Sequence, residues 1–137
     1  MEKKPILEIR IDTDRQSFHM KTERGDVSVI PFSGKVDCEL FSGIVEPWGA
    51  DTQIADHAGV RHMSARYALT GKDKDGNDCH IFIENNAYLP DKPTPTFRSV
   101  PTFYTDSPVL APYLHRDRFY GTGSVEDGQL WIRFFEV

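Results

Sequence analysis

VRHMSARYALTGKDKDGNDCHIFIENN, residues 60–86, is the stretch whose reading decides the fold. From Val60 to Thr70 the side chains alternate. Met63, Ala65, Tyr67 and Leu69 share one parity; His62, Ser64, Arg66 and Ala68 share the other. A period of two belongs to a strand, because successive Cβ atoms point to opposite faces. Asp75-Gly76 then supplies the positive φ that a tight reversal needs, and Asp-Gly between alternating runs is the strongest short-range hairpin signal. The return, Asp78 to Asn86, puts Asp78, His80, Glu84 and Asn86 on one parity. Cys79, Ile81, Ile83 and Asn85 take the other.

The same reading extends in both directions. Upstream, strands are predicted over Pro5–Asp12, Gln16–Lys21 and Val27–Pro31. A longer apolar run, Gly34 to Pro47, is expected to bend at Gly34 and Gly43, since glycine inside a strand marks a bulge or a barrel corner. Downstream, Leu89–Pro95 holds three prolines and reads as a loop. Thr96–Thr105 is a strand interrupted at Pro101. Asp106–Arg116 is a connector with at most one helical turn. Phe119–Val125 and Gln129–Glu136 make a last hairpin through Glu126-Asp127-Gly128. Short strands with regular turns and no long helix give an all-β class. Sandwich and barrel both fit that pattern. The C-terminal run Leu130-Trp131-Ile132-Arg133-Phe134-Phe135 would aggregate as an exposed edge, so closure is favoured. The expected fold is a single-domain antiparallel β-barrel of about eight to ten strands over residues 1–137.

Composition narrows the function classes. In 137 residues, 16 Lys plus Arg face 21 Asp plus Glu, a net charge of −5, and 39% of the residues are apolar. That balance fits an ordinary folded domain large enough to need no disulfide or metal. It argues against nucleic-acid binding, which relies on neutralising phosphates. No apolar run approaches the roughly 20 residues of a membrane helix. Cys38 and Cys79 lack a Cys-x-x-Cys spacing and read as free thiols in a reducing cytoplasm.

Candidate chemistry lies on the polar strand faces. Arg66 with Glu84 or Asp51, together with Arg98, is one candidate for a charge-paired cluster lining a lumen; the alternative is a solvent-facing cross-strand pair. His19, His57, His62, His80 and His115 show no metal-ligand spacing, so no metal is expected. Asp73 to Asp78 with Glu84 mimics a calcium loop, but its glycine sits at position four and strands flank it, so it reads as a turn. Gly121-Thr-Gly123-Ser lacks the remainder of a dinucleotide fingerprint, and no cofactor is expected.

Several short elements, in order, resemble an uncharacterised microbial family, domain of unknown function 3237 (uncharacterised protein family 0311). They are Gly43-x-Val45, Gly49-Ala50-Asp51-x-Gln53, Ala65-Arg66-Tyr67, Asp75-Gly76, Ile83 to Asn86, Phe97-Arg98, Pro101-x-Phe103, Leu114 and Gly121-x-Gly123. The likeness spans about Phe41 to Val137. Thr52 stands where the family usually has an aromatic, and Ala87 where it often has glycine. The resemblance implies a compact antiparallel barrel with no established activity. It also implies that Asp51, Arg66, Asn85 or Asn86, and Arg98 occupy polar motif positions.

Two functional readings follow. In the first, the barrel binds a small organic molecule, with Arg66 and Arg98 favouring an anionic one. Arg98 with Gln53, His62, Asn86, Tyr104 and Tyr120 would form the ligand site, since Arg forks match planar anions. In the second, the same pocket is a cofactor-independent isomerase, cyclase or lyase. Asp51 or Glu84 is then the base, tuned by Arg66, and Arg98 or a Tyr hydroxyl stabilises an oxyanion. A third reading is a non-catalytic assembly protein that self-associates through exposed aromatics, although an oligomer alone would not exclude a pocket.

Overall fold

The 60–86 stretch is a long antiparallel hairpin. Its strands pair continuously from Val60↔Pro90 to Lys72↔Asp78. Asp73 ties its turn: Oδ1 accepts from the backbone N–H groups of Asp75 and Asn77, both at 3.0 Å. Gly76 at the tip has φ +82°, a conformation that favours glycine. The acidic run is therefore a turn, as the position of its glycine indicates.

The computed structural model describes residues 3–90 and 97–137. In chain order the elements are β1 (Leu7–Asp12), β2 (Phe18–Lys21), β3 (Gly25–Pro31), β4 (Ser33–Asp37), β5 (Phe41–Val45), β6 (Ala50–Asp56) and β7 (Val60–Asp73). They continue with β8 (Asp78–Pro90), β9 (Phe97–Thr105), a short helix α1 (Ala111–Leu114), β10 (Phe119–Glu126) and β11 (Gln129–Glu136). Neighbouring strands run β7-β5-β4-β1-β11-β10-β9-β8, and the β7–β8 ladder closes the ring. The result is a closed, antiparallel, eight-stranded barrel. Strands β6, β3 and β2 continue outward from β7 as an added sheet.

Strand β7 makes this branching possible. Its first half, Arg61–Arg66, pairs with β6; its second half, Leu69–Asp73, pairs with β5. The two ladders share one edge. Where β5 takes over, Gly43 faces Gly71, and a Cβ on Gly43 would sit 2.2 Å from the Thr70 carbonyl oxygen. Only glycine permits that approach.

Three readings change against this architecture. The 34–47 run is two strands, β4 and β5, reversed between Cys38 and Phe41 by a Cys38 N–H bond to the Phe41 carbonyl at 2.9 Å. Residues 50–56 form β6, a strand that the residue pattern conceals because its inward positions are Asp51 and Gln53. Strand β8 runs on through Leu89 and Pro90, where a loop is expected; the remainder of that loop, residues 91–95, lies outside the described residues. Pro101 lies beyond the last β9–β10 pair, Gly121↔Ser99, so its missing N–H interrupts no ladder on that side.

The barrel's two ends differ. At one end Leu7, Ile9, Phe41, Leu69, Ile81, Ile83, Phe103 and Phe134 are fully buried. Phe103 meets Phe119 and Phe134 edge-on at 5.4 and 5.2 Å. Helix α1 stops this end with Leu110 and Leu114, both fully buried. Ser107 anchors the approach to it: its Oγ accepts from Leu110 N–H at 3.2 Å and donates to Asp73 Oδ2 at 2.8 Å. The other end is hollow, roofed by the added sheet. Cys38 and Cys79 are free thiols.

Candidate functional site

The hollow end is a cavity of about 180 Å³. Ile11, Ile30, Phe32, Met63, Leu130 and Ile132 give it apolar walls, and Ala65 and Ala87 supply the space. Asp51 and Gln53 enter from β6, Tyr67 from β7, Asn85 from β8 and Ser99 from β9. Strand register explains the convergence. Asp51 pairs with Ala65, Ala65 with Asn85, and Asn85 with Pro101, so one row crosses four strands on the inner face. Tyr67 lies two residues along β7 from Ala65. That makes it a diagonal neighbour of Asp51 at roughly 7–8 Å, within reach of an aromatic side chain.

Glycines admit the polar groups. A Cβ on Gly49 would lie 2.9 Å from the Tyr67 Cβ, and one on Gly121 would lie 2.4 Å from Ser99 Oγ. The Tyr67 ring is fixed edge-on against Phe32 at 5.0 Å. Gln53 anchors the carboxylate: its Nε2 donates to Asp51 Oδ2 at 2.8 Å, while its Oε1 accepts from Arg61 Nη1 at 3.3 Å.

What remains is unpartnered. Among the described residues, five buried side-chain oxygen or nitrogen atoms make no hydrogen bond. Four line this cavity: Asp51 Oδ1, Tyr67 OH, Asn85 Oδ1 and Ser99 Oγ. Native interiors pair nearly all such groups, so a cluster of exceptions in one cavity is informative. Burial pushes the Asp51 carboxyl above its ordinary range, against the Gln53 hydrogen bond and the His62 charge, which both pull it down. Burial also raises the Tyr67 phenol, and the nearby Asp51 charge raises it further. The phenol therefore stays protonated and able to donate.

Of the nine site residues expected from the sequence, only Asp51 and Gln53 reach this lumen. Arg66 and Glu84 pair on the outer surface at 2.9 Å, with the Arg66 side chain two-thirds exposed. His62 stacks on Tyr88 at 4.3 Å and contacts Asn86 Oδ1 at 3.1 Å, also outside. Arg98 lies over the Tyr120 ring at 3.9 Å, and Tyr120 stacks on Phe135. Tyr104 lines an external groove with Trp48 and Phe82. The cause is parity. Inner positions are odd-numbered on β7, β8 and β9, and all these residues are even-numbered. The inner parity was legible as the apolar face; the lumen belongs to that face because buried charges cost several kcal/mol each. Of the two positions that the family resemblance leaves open, Asn85 and Asn86, it is Asn85 that lines the cavity; Tyr67, Ser99 and Arg61 were not among the expected site residues. For Asn85 the signal was one amide on a parity otherwise occupied by Cys79, Ile81 and Ile83.

An eight-stranded closed barrel with an added sheet over one end, and a polar cluster inside an otherwise apolar cavity, defines the class. The chain belongs to a family described as protein of unknown function (DUF3237), whose model matches residues 1–137. A UPF0311 protein from Clostridium acetobutylicum is 37% identical over an alignment of 100 residues, covering 61% of this chain and 61% of that one. A crystal structure of a protein of unknown function from Clostridium acetobutylicum ATCC 824 is similar with a TM-score of 0.76 at 30% identity, covering 99% of this chain and 96% of the other. A protein of unknown function from Rhodopseudomonas palustris gives 0.71 at 26% identity, covering 98% and 96%. A beta-barrel like protein from Acinetobacter baumannii AYE gives 0.72 at 19% identity, covering 98% and 94%, a likeness of fold.

Proposed function

We propose that the hollow end binds a small organic molecule about the size of one ring, carrying a hydrogen-bond donor. The observation that carries this reading is the set of four unpartnered polar atoms around one apolar cavity. Each unmade buried hydrogen bond costs about 1–3 kcal/mol, which a suitable ligand recovers. Size supports the ring: an engineered protein cavity of about 150 Å³ accepts benzene. Polarity supports the donor. Among the described residues, the cavity lining contains a carboxylate and no Lys, Arg or His, so a neutral or cationic molecule is favoured and an anion repelled. The anionic ligand anticipated from Arg66 and Arg98 loses its support, because both guanidinium groups lie outside. Two free thiols support a cytoplasmic setting.

Calorimetry with phenol, aniline and benzoate tests the reading. Phenol and aniline are expected to bind saturably and benzoate at least tenfold more weakly. Ala87→Leu, which fills the space, is expected to abolish binding. Absence of saturable binding by phenol and aniline, or binding that survives Ala87→Leu, overturns it.

A further inference from the structure

The lumen holds two groups that complement each other chemically. Asp51 is held by one oxygen only: Oδ2 takes the Gln53 amide, Gln53 is in turn held by Arg61, and Oδ1 is left buried and unpartnered at the cavity. Tyr67 is fully buried, its ring is locked against Phe32, and its hydroxyl has no acceptor. They are diagonal neighbours on one face, yet make no hydrogen bond to each other. A substrate in the cavity therefore meets an acceptor and a donor, neither of which is engaged by the other. An anchored carboxylate with one free oxygen suits a base, and a buried hydroxyl lining the same cavity suits an oxyanion donor.

We propose that Asp51 and Tyr67 catalyse proton transfer on a ring-sized ketone, shifting a β,γ double bond into conjugation with the carbonyl. This rests on the binding reading above. Asp51 Oδ1 takes a proton from the carbon between the carbonyl and the alkene. The C–H electron pair becomes a new C=C bond, and the carbonyl π pair moves onto oxygen as a dienolate that accepts the Tyr67 O–H. Asp51 then returns the proton to the γ-carbon. The dienolate electrons re-form the carbonyl, leaving the double bond at α,β. The carboxylate is regenerated, and no oxidant, reductant or second substrate is consumed. Burial serves both roles: it raises the basicity of Asp51 and keeps Tyr67 protonated. Gln53 is a positioning residue, because it acts through Asp51.

The test uses cyclohex-3-en-1-one, converted to cyclohex-2-en-1-one and followed by the absorbance of the conjugated enone, with phenol as a mimic of the enolate in a parallel calorimetric titration. The wild-type chain is expected to accelerate conversion over buffer. Asp51→Asn is expected to lose at least about 100-fold of that acceleration, the lower range of general-base contributions. Tyr67→Phe is expected to lose about 100-fold as a missing oxyanion donor. Phenol binding without any acceleration, or acceleration unchanged in Asp51→Asn, overturns the proton-transfer proposal and leaves the binding reading standing. Absence of phenol binding in the wild-type chain overturns both.

Discussion

The two ends of the barrel are built on the same strands and differ in what those strands carry inward. On β7, Leu69 points into the filled end and Ala65 into the hollow one. On β8, Ile81 and Ile83 give way to Asn85 and Ala87; on β9, Phe103 gives way to Ser99. The filled end is stoppered by α1, while the hollow end is roofed by a sheet that brings in a carboxylate. One end therefore carries stability and the other forgoes packing to hold a space with polar groups in it. Stability given up at a site is a common mark of function.

The comparison breaks most readily under large-to-small substitution. Phe103→Ala is expected to cost about 3–5 kcal/mol by chemical denaturation, because it empties a close-packed aromatic cluster. Met63→Ala, at the wall of an existing space, is expected to cost about 1 kcal/mol. Equal losses at the two positions would erase the distinction between the ends. Small-to-large changes sharpen it in the opposite sense. Gly43→Ala, whose new Cβ would meet the Thr70 carbonyl oxygen at 2.2 Å, is expected to cost about 1–3 kcal/mol. Ala87→Leu is expected to alter stability by less than about 1 kcal/mol while removing phenol binding.

Acid titration gives a subtler contrast. Asp51 has a raised pKa in the folded state, so its contribution is fully present below the unfolded value, about 3.9, and is lost as pH rises through the folded value. Glu126 and Glu136, lowered first by hydrogen bonds from Arg133 and Arg116, behave oppositely. Their contributions are present above the unfolded value and are lost as pH falls. Asp51→Asn is therefore expected to be more stable than the wild type near pH 7, with the difference vanishing near pH 3 in parallel denaturation curves. A difference independent of pH would mean that Asp51 carries no burial penalty. The smallest effect belongs to the outer wall. Arg66→Ala removes an exposed pair and is expected to cost about 0.2–1 kcal/mol, with phenol binding unchanged.

Fold and site were legible to different degrees, for one physical reason. Strand β7, its partner β8 and the terminal hairpin show in the residue pattern because their inward faces are apolar. Strand β6 does not show, because Asp51 and Gln53 occupy its inward positions and destroy the alternation that marks a strand. The feature that hid the strand is the one that builds the site. The family-like Gly49-Ala50-Asp51 segment did point to it. Its logic becomes visible only in three dimensions, where Gly49 clears the Tyr67 Cβ and Asp51 lies diagonally across from it. Arg66, Glu84 and Arg98 drew attention as the charged members of the hairpin and its neighbour, but charge is the property that keeps them facing water. Tyr67 and Ser99 do not show in the pattern because each lies on the apolar parity, and Asn85, on the same parity, is marked by the family resemblance, as an alternative to Asn86.

The central claim is that the hollow end takes a ring-sized donor molecule onto Asp51, Tyr67, Asn85 and Ser99. Its most direct test is an NMR titration of the isotope-labelled chain with phenol. Saturable shifts are predicted at those four residues and at Ala65 and Ala87, with Phe103, Leu110 and Leu114 unmoved. Shifts confined to the outer surface around Tyr104, Tyr120 and Arg98, or no saturable shift anywhere, would contradict it.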